Sequence, residues 1–143
     1  MCGIAGLIHR GKSSNVGEEL QHMLQALKHR GPDSTGYALY ADNDGQNFIL
    51  RFKVGENVGE GSTSVNEDES VYNERKKAVD KKLSELGALV VKEEKLTPYS
   101  YRYEIKFDKD LMEFSKAIES IQSVEILSIG KSLELIKDLG DAT

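Results

Sequence analysis

Cys2 is the only cysteine in 143 residues, and it stands directly behind Met1 in the run Cys2-Gly3-Ile4-Ala5-Gly6. The expected removal of Met1 leaves a first residue that carries a thiol and a free α-amine together. An α-amine has a pKa of about 7.7–8.0 and an ordinary thiol about 8.5. A base transfers protons best when its pKa lies near the working pH. The amine can therefore take the proton of its own thiol, directly or through a water, as terminal-threonine nucleophiles do. Lowering the thiol from about 8.5 to about 7 needs about 2 kcal/mol of differential stabilisation. The chemistry so indicated is attack of a terminal thiolate on a carbonyl carbon. The competing reading is a chance cysteine tucked into a first strand.

A second patch, His29-Arg30-Gly31-Pro32-Asp33-Ser34-Thr35-Gly36, bears on that choice. The small and aliphatic run from Cys2 to Ile8 suits a buried strand with close backbone approach. Leu20, Met23, Leu24 and Leu27 then follow the i, i+3, i+4, i+7 spacing of a helix. Ser14 or Asn15 can cap it, Glu18 and Glu19 suit its first turns, and Lys28 its last. Gly31-Pro32 breaks the chain after that helix. Tyr37-Ala38-Leu39-Tyr40 reads as the next strand. Strand, helix, turn and strand in this order place Arg30 where it can return to the start of the chain.

The two motifs, CGIAGLI at a processed terminus and HRGPDSTG after one helix, resemble those of the class II glutamine amidotransferases. The resemblance covers residues 2–54. It implies an α+β fold, the N-terminal-nucleophile hydrolase-like α/β/β/α sandwich, incomplete here and carrying a small inserted α+β unit. It also implies a mechanism. Cys2 attacks the side-chain amide of L-glutamine, its α-amine serving as base and then as acid to the leaving ammonia, and the γ-glutamyl thioester is hydrolysed to glutamate. Arg30 matches the arginine that orders the nucleophile's surroundings, and Gly31 the glycine whose backbone lines the site. Asp33 either supports the site or only bonds the turn, a common aspartate role. Ser34 and Thr35 serve the turn.

Other features of that family have no counterpart. Acyl transfer needs donors aimed at the tetrahedral oxyanion, and losing one costs about 2.7–4 kcal/mol. The family draws them from an Asn-Gly pair, yet Asn15, Asn43, Asn47, Asn57, Asn66 and Asn73 are each followed by another residue. The family's later arginine motif and aspartate, which hold the α-carboxylate and α-amine of glutamine, are also unmatched, since Arg51, Arg75 and Arg102 lie in unlike contexts. The expectation is a nucleophile-bearing part of a glutaminase, completed by further sequence or by another chain and inactive or weakly active alone. Ammonia would pass to a synthase domain or subunit of the glutamate-synthase-like or asparagine-synthetase-like kind. Two alternatives stay open: a non-catalytic regulatory or docking module that retains a glutaminase-like start, and a terminal-cysteine hydrolase of another amide.

Composition narrows the setting. One cysteine excludes an internal disulfide framework, and no signal peptide or membrane-length apolar run is present, so a cytoplasmic protein is expected. A net charge of −5 argues against nucleic acid as the main partner. No cofactor is called for. His9, His22 and His29 with Cys2 lack a recurrent metal-ligand spacing, so no metal is expected. Self-association is left open.

The chain divides by composition into 1–54, the glutaminase-like part; 55–70, a Gly-, Ser- and acid-rich linker; and 71–140, a small α+β module. Phe48–Val54 is a strand that Asp44-Gly45 would turn back against Tyr37–Ala41. Tyr72, Val79, Leu83 and Leu86 line a helix that Gly87 ends. Ala88–Val91 is a short strand, and Tyr99, Tyr101, Tyr103, Ile105 and Phe107 alternate along a longer one. Asp108 or Asp110 starts a helix with Leu111, Phe114, Ile118 and Ile121 inward. Val124–Ile129 is a strand, and Lys131–Leu139 reads as a last helix. The alternating tyrosines fit a buried face better than an RNA-stacking platform. Gly130-Lys131-Ser132 has the end of a phosphate loop, but Glu125 stands where its first glycine belongs.

Overall fold

The computed structural model describes residues 3–11, 15–30, 34–40, 45–55 and 68–139. The elements are α1 (Val16–Ala26), a 3-10 turn (Lys28–Arg30), β1 (Ser34–Tyr40), β2 (Phe48–Lys53), α2 (Glu69–Leu86), β3 (Leu89–Thr97), β4 (Ser100–Lys106), α3 (Leu111–Glu119), β5 (Glu125–Gly130) and β6 (Leu133–Leu139). The architecture is mixed α+β with antiparallel pairing in the four-stranded sheet, and three α-helices among the described residues. Two compact units result, Ala38–Ile136 and Met1–Tyr37 with Lys137–Thr143.

The larger unit holds the core. Its sheet runs β3-β4-β2-β5, and its chain order is β2-α2-β3-β4-α3-β5. That combination is the split β-α-β, ferredoxin-like arrangement. Every second residue of β2 and β4 points to the helices: Leu50, Phe52, Tyr103 and Ile105 are fully buried and Tyr101 nearly so. Val79 and Leu83 of α2 and Phe114 and Ile118 of α3 meet them from above, also fully buried. Phe52 stacks on Tyr101 at 5.4 Å and meets the edge of Tyr103 at 5.0 Å. The tyrosines of β4 are therefore core residues. The Tyr103 hydroxyl donates to Asp80 Oδ1 at 2.8 Å; burial foremost, and then this carboxylate, push its pKa upward.

Caps fall where the sequence places them. Gly87 ends α2 at φ 82°, a left-handed conformation that a side chain would strain. Asp110 caps α3 by accepting from the Glu113 N–H at 2.8 Å. Asp68 caps α2 through the Ser70 N–H at 3.2 Å, so helix begins inside the stretch expected to be linker. Residues 56–67 of that linker lie outside the described residues.

Three expected elements are corrected. β2 does not pair with β1, and Asp44 of the expected turn lies outside the described residues. β2 instead pairs Phe48 with Ile105 and Lys53 with Ser100 on β4, and Ile49 with Gly130 on β5, while β1 pairs with β6 in a separate two-stranded sheet. A strand buried on both faces, as Ile49 to Lys53 are, needs a neighbour on each side, and a hairpin supplies one. The strand expected within 1–54 thus lies in the same sheet as the strands of 71–140. Lys131–Leu139 is not a helix either. Leu133–Leu139 forms β6 instead, because Glu134 is pinned from the sheet by two arginines and local helix preference is weak against such a contact.

Those arginines belong to the face away from the helices. Arg51 and Arg102 are direct cross-strand partners, and like charges so placed repel. Glu134 answers both. Its Oε2 accepts from Arg51 Nε at 2.6 Å and Arg102 Nε at 2.9 Å, and its Oε1 from Arg102 Nη2 at 2.8 Å. Glu94 Oε2 takes the remaining Arg102 Nη1 at 3.1 Å. The Arg102 hydrogen bonds, ahead of Arg51, hold the Glu134 carboxyl below its ordinary range against the effect of burial.

The third correction concerns residues 3–9. They are extended but join no sheet among the described residues, and Ile4 and Ile8 are 92% and 93% exposed. Burial alternates, with Gly3, Ala5 and Leu7 the half-covered side. The period of a strand is present; the ladder that would bury its other face is not.

Candidate functional site

The smaller unit contains the extended segment and α1. His9 Nε2 pairs with Glu19 Oε2 at 2.8 Å near the start of the helix. At the other end, a Cβ placed on Gly3 would lie 3.2 Å from Leu27 Cβ and 3.6 Å from Arg30 Cβ. The segment therefore runs antiparallel to α1 and brings Gly3 to the helix's last turn. Glycine is the residue that permits this approach. A methyl group there would press on Leu27 more closely than side chains normally sit.

Leu27 closes α1 with its N–H on Leu24 O at 3.0 Å, and the Arg30 N–H donates to Leu27 O at 2.8 Å. The 3-10 turn over Lys28–Arg30 follows, with His29 and Arg30 exposed. Asn15 occupies the N-cap position of α1 without a capping bond; its side-chain amide donates instead to Glu18. No residue of α1 is fully buried. Leu20, Leu24 and Leu27 are half-covered and Met23 is 37% exposed.

Of the expected site residues, Arg30 is described, and it sits beside Gly3. Cys2, Gly31 and Asp33 lie outside the described residues, as does Ser14. Ser34 and Thr35 open β1, which starts ahead of the expected Tyr37. The contact of Leu27 with Gly3 was not legible as part of a site, since Leu27 reads simply as the last apolar residue of the helix. Among the described residues no group of His, Cys, Asp and Glu could hold a metal ion. His9 is occupied by its carboxylate partner.

With this geometry in view, the relatives bear on its meaning. Residues 1–50 match the family of the glutamine amidotransferase domain. The matched stretch contains both motifs, CGIAGLI and HRGPDSTG, and the Gly3–Arg30 approach. A protein of Methanothermobacter thermautotrophicus named "Putative glutamine amidotransferase" is 32% identical over 148 residues, which is 98% of this chain and 44% of that protein. A Methanocaldococcus jannaschii protein named "Putative asparagine synthetase [glutamine-hydrolyzing] 2" is 50% identical over 40 residues, 28% of this chain and 8% of that protein. The chain thus spans less than half the length of either curated relative. The similarity to the first runs through the split β-α-β unit as well as the motifs. No solved structure matches the chain. No described helix is long and apolar enough to cross a membrane.

Proposed function

We propose that the chain carries the nucleophile of a class II glutamine amidotransferase with an N-terminal-nucleophile hydrolase type of site. The supporting observation is the approach of Gly3 to Leu27 and Arg30. Gly3, which makes this approach, is the residue next to Cys2 in the sequence. In the reaction, the Cys2 thiol passes its proton to the α-amine and sulfur adds to the side-chain carbonyl carbon of glutamine. The C–N bond breaks, the amine's proton leaves with ammonia, and water then cleaves the thioester to glutamate. Arg30, a permanent cation, keeps the terminal residue ordered and favours the thiolate. Gly31 lines the site by its backbone, and Asp33 supports the turn. The ammonia acceptor belongs to a synthase domain or partner, in keeping with the asparagine-synthetase name of one relative.

Residues 1–54 form the glutaminase-like part in this reading, with β2 shared with the split β-α-β unit, and the module over 71–140 is accessory. The chain by itself hydrolyses glutamine weakly, because the Asn-Gly oxyanion donors and the ligands for the glutamine α-groups are not in it. Intact-mass analysis of the purified chain tests the proposal: loss of Met1 is expected. A retained Met1 would refute it, since an acylated nitrogen cannot act as the base. Glutaminase turnover by the chain alone at the level of a complete domain would refute the division of labour.

A further inference from the structure

The four-stranded sheet ends on β3, which pairs with β4 and with no other strand among the described residues. β3 is exposed for nearly its whole length, whereas β5, at the opposite edge, is half-covered throughout. A free edge presents unpaired N–H and C=O groups, a template on which another strand can add. Charges along an edge ordinarily discourage this. Here the charged run Lys92-Glu93-Glu94-Lys95 lies between two apolar ends. Leu89, Val90 and Val91 open the strand and Leu96 nearly closes it, all of them exposed.

The register with β4 assigns the four charges to two faces. Glu93 and Lys95 stand opposite Tyr103 and Tyr101, on the helix side. There Lys76 of α2 holds Glu93 at 2.8 Å and Glu69 of α2 holds Lys95 at 2.8 Å. Lys92 and Glu94 stand opposite Glu104 and Arg102, on the other face, with Lys92 Nζ 2.6 Å from Glu94 Oε1. The ladder shifts register at Val91 and again at Leu96, so its regular run is the short stretch between them.

We infer that β3 pairs antiparallel with β3 of a second copy of this chain, about a two-fold axis through Glu93. Such an axis, perpendicular to the sheet, joins like faces of the two copies, so residues of the same side meet. Lys92 then faces Glu94 of the second copy, and Glu94 faces its Lys92. Opposite charges directly across a ladder attract. The same register sets Val90 against Leu96 and Leu89 against Thr97, so the apolar ends of the two strands meet. The two Glu93 carboxylates oppose each other, but each is already held by its own Lys76. Neighbouring centres match less well. An axis at Lys92 sets that lysine against its own copy and Val90 against Glu94, and an axis at Glu94 sets Leu96 against Lys92. The register shifts at Val91 and Leu96 twist the edge. The contact is therefore short and the dimer weak, with a dissociation constant of about 0.1 mM.

Sedimentation equilibrium of the full chain, from about 10 μM to about 1 mM, tests the inference. The mass should rise from that of one chain towards that of two. Lys92→Glu and Glu94→Lys should each weaken association about tenfold or more, because each sets like charges across the axis. An equal mixture of the two variants should recover the wild-type constant, since both acidic positions of one copy then face basic positions of the other. Val91→Lys, at an exposed position beside Lys95 of the second copy, should also weaken association about tenfold. It leaves Arg102 and its partners untouched, and so decides the matter if Glu94→Lys does not fold. A chain that stays monomeric at about 1 mM, about ten times the expected constant, would overturn the inference. So would a dimer indifferent to Lys92→Glu and Val91→Lys, or folded charge variants whose mixture stays monomeric. None of these outcomes depends on whether Cys2 is a nucleophile.

Discussion

Glu134 holds two arginines that would otherwise face each other across β2 and β4, and its removal is the sharpest perturbation of the larger unit. In Glu134→Ala, Arg51 loses its 2.6 Å partner and Arg102 keeps only Glu94. Breaking a buried pair by deleting one member costs about 3–5 kcal/mol. Here the side chains of Arg51, Glu134 and Arg102 retain 10%, 14% and 21% exposure, so water screens part of the loss and about 2–4 kcal/mol is expected. Glu134→Gln keeps the shape and one acceptor and should cost about 1–2 kcal/mol. Replacing all three with well-packed apolar residues should come out near neutral, within about 1 kcal/mol. The folded-state pKa of Glu134 lies below its ordinary value of 4.5. Its contribution is therefore present above that ordinary value and lost as pH falls through the lower folded value. Urea denaturation followed by circular dichroism measures each quantity. A Glu134→Ala loss under about 0.5 kcal/mol, the scale of an ordinary surface change, would refute the reasoning. So would wild-type and variant stabilities that stay parallel as pH is lowered from neutrality through the acid range.

Other substitutions test the remaining supports. Leu83→Ala empties a fully buried position and should cost about 2–5 kcal/mol in the same denaturation assay. Gly87→Ala forces a side chain into φ 82° and against Lys109 Nζ at 3.3 Å, and should destabilise by about 1 kcal/mol or more. Asp110→Ala removes the cap on α3 and should cost about 1 kcal/mol; Asp108→Ala, which caps nothing, should leave stability unchanged.

The larger unit was legible wherever local pattern and tertiary packing agree. The alternation of Tyr101, Tyr103 and Ile105, the inward face of Val79 and Leu83, and the stops at Gly87 and Asp110 all reappear. The failures share a cause. Asp44-Gly45 is a good hairpin signal, but β2 is buried on both faces and is claimed by two distant strands, which no local signal encodes. The ferredoxin-like order is not legible for the same reason, because nothing local separates β2 from the N-terminal part. Leu133–Leu139 carries helix-forming residues, and its strand state depends on Arg51 and Arg102, far away in sequence. At the terminus, the motif residues carry the proposed chemistry, and the structure sets Arg30 beside Gly3. The run from Gly3 to His9 alternates as a strand does, yet Ile4 and Ile8 lie open, so its periodicity was readable and its pairing was not.

Because Cys2 is the only cysteine, the state of its sulfur can be read without ambiguity. The rate of alkylation by iodoacetamide, followed by intact mass as a function of pH, gives the thiol's titration midpoint directly. On a chain that has lost Met1 the midpoint should fall near 7, below the ordinary thiol value of about 8.5, and Arg30→Ala should move it upward. A midpoint at or above the ordinary value, indifferent to Arg30, would contradict an amine-activated nucleophile at this terminus.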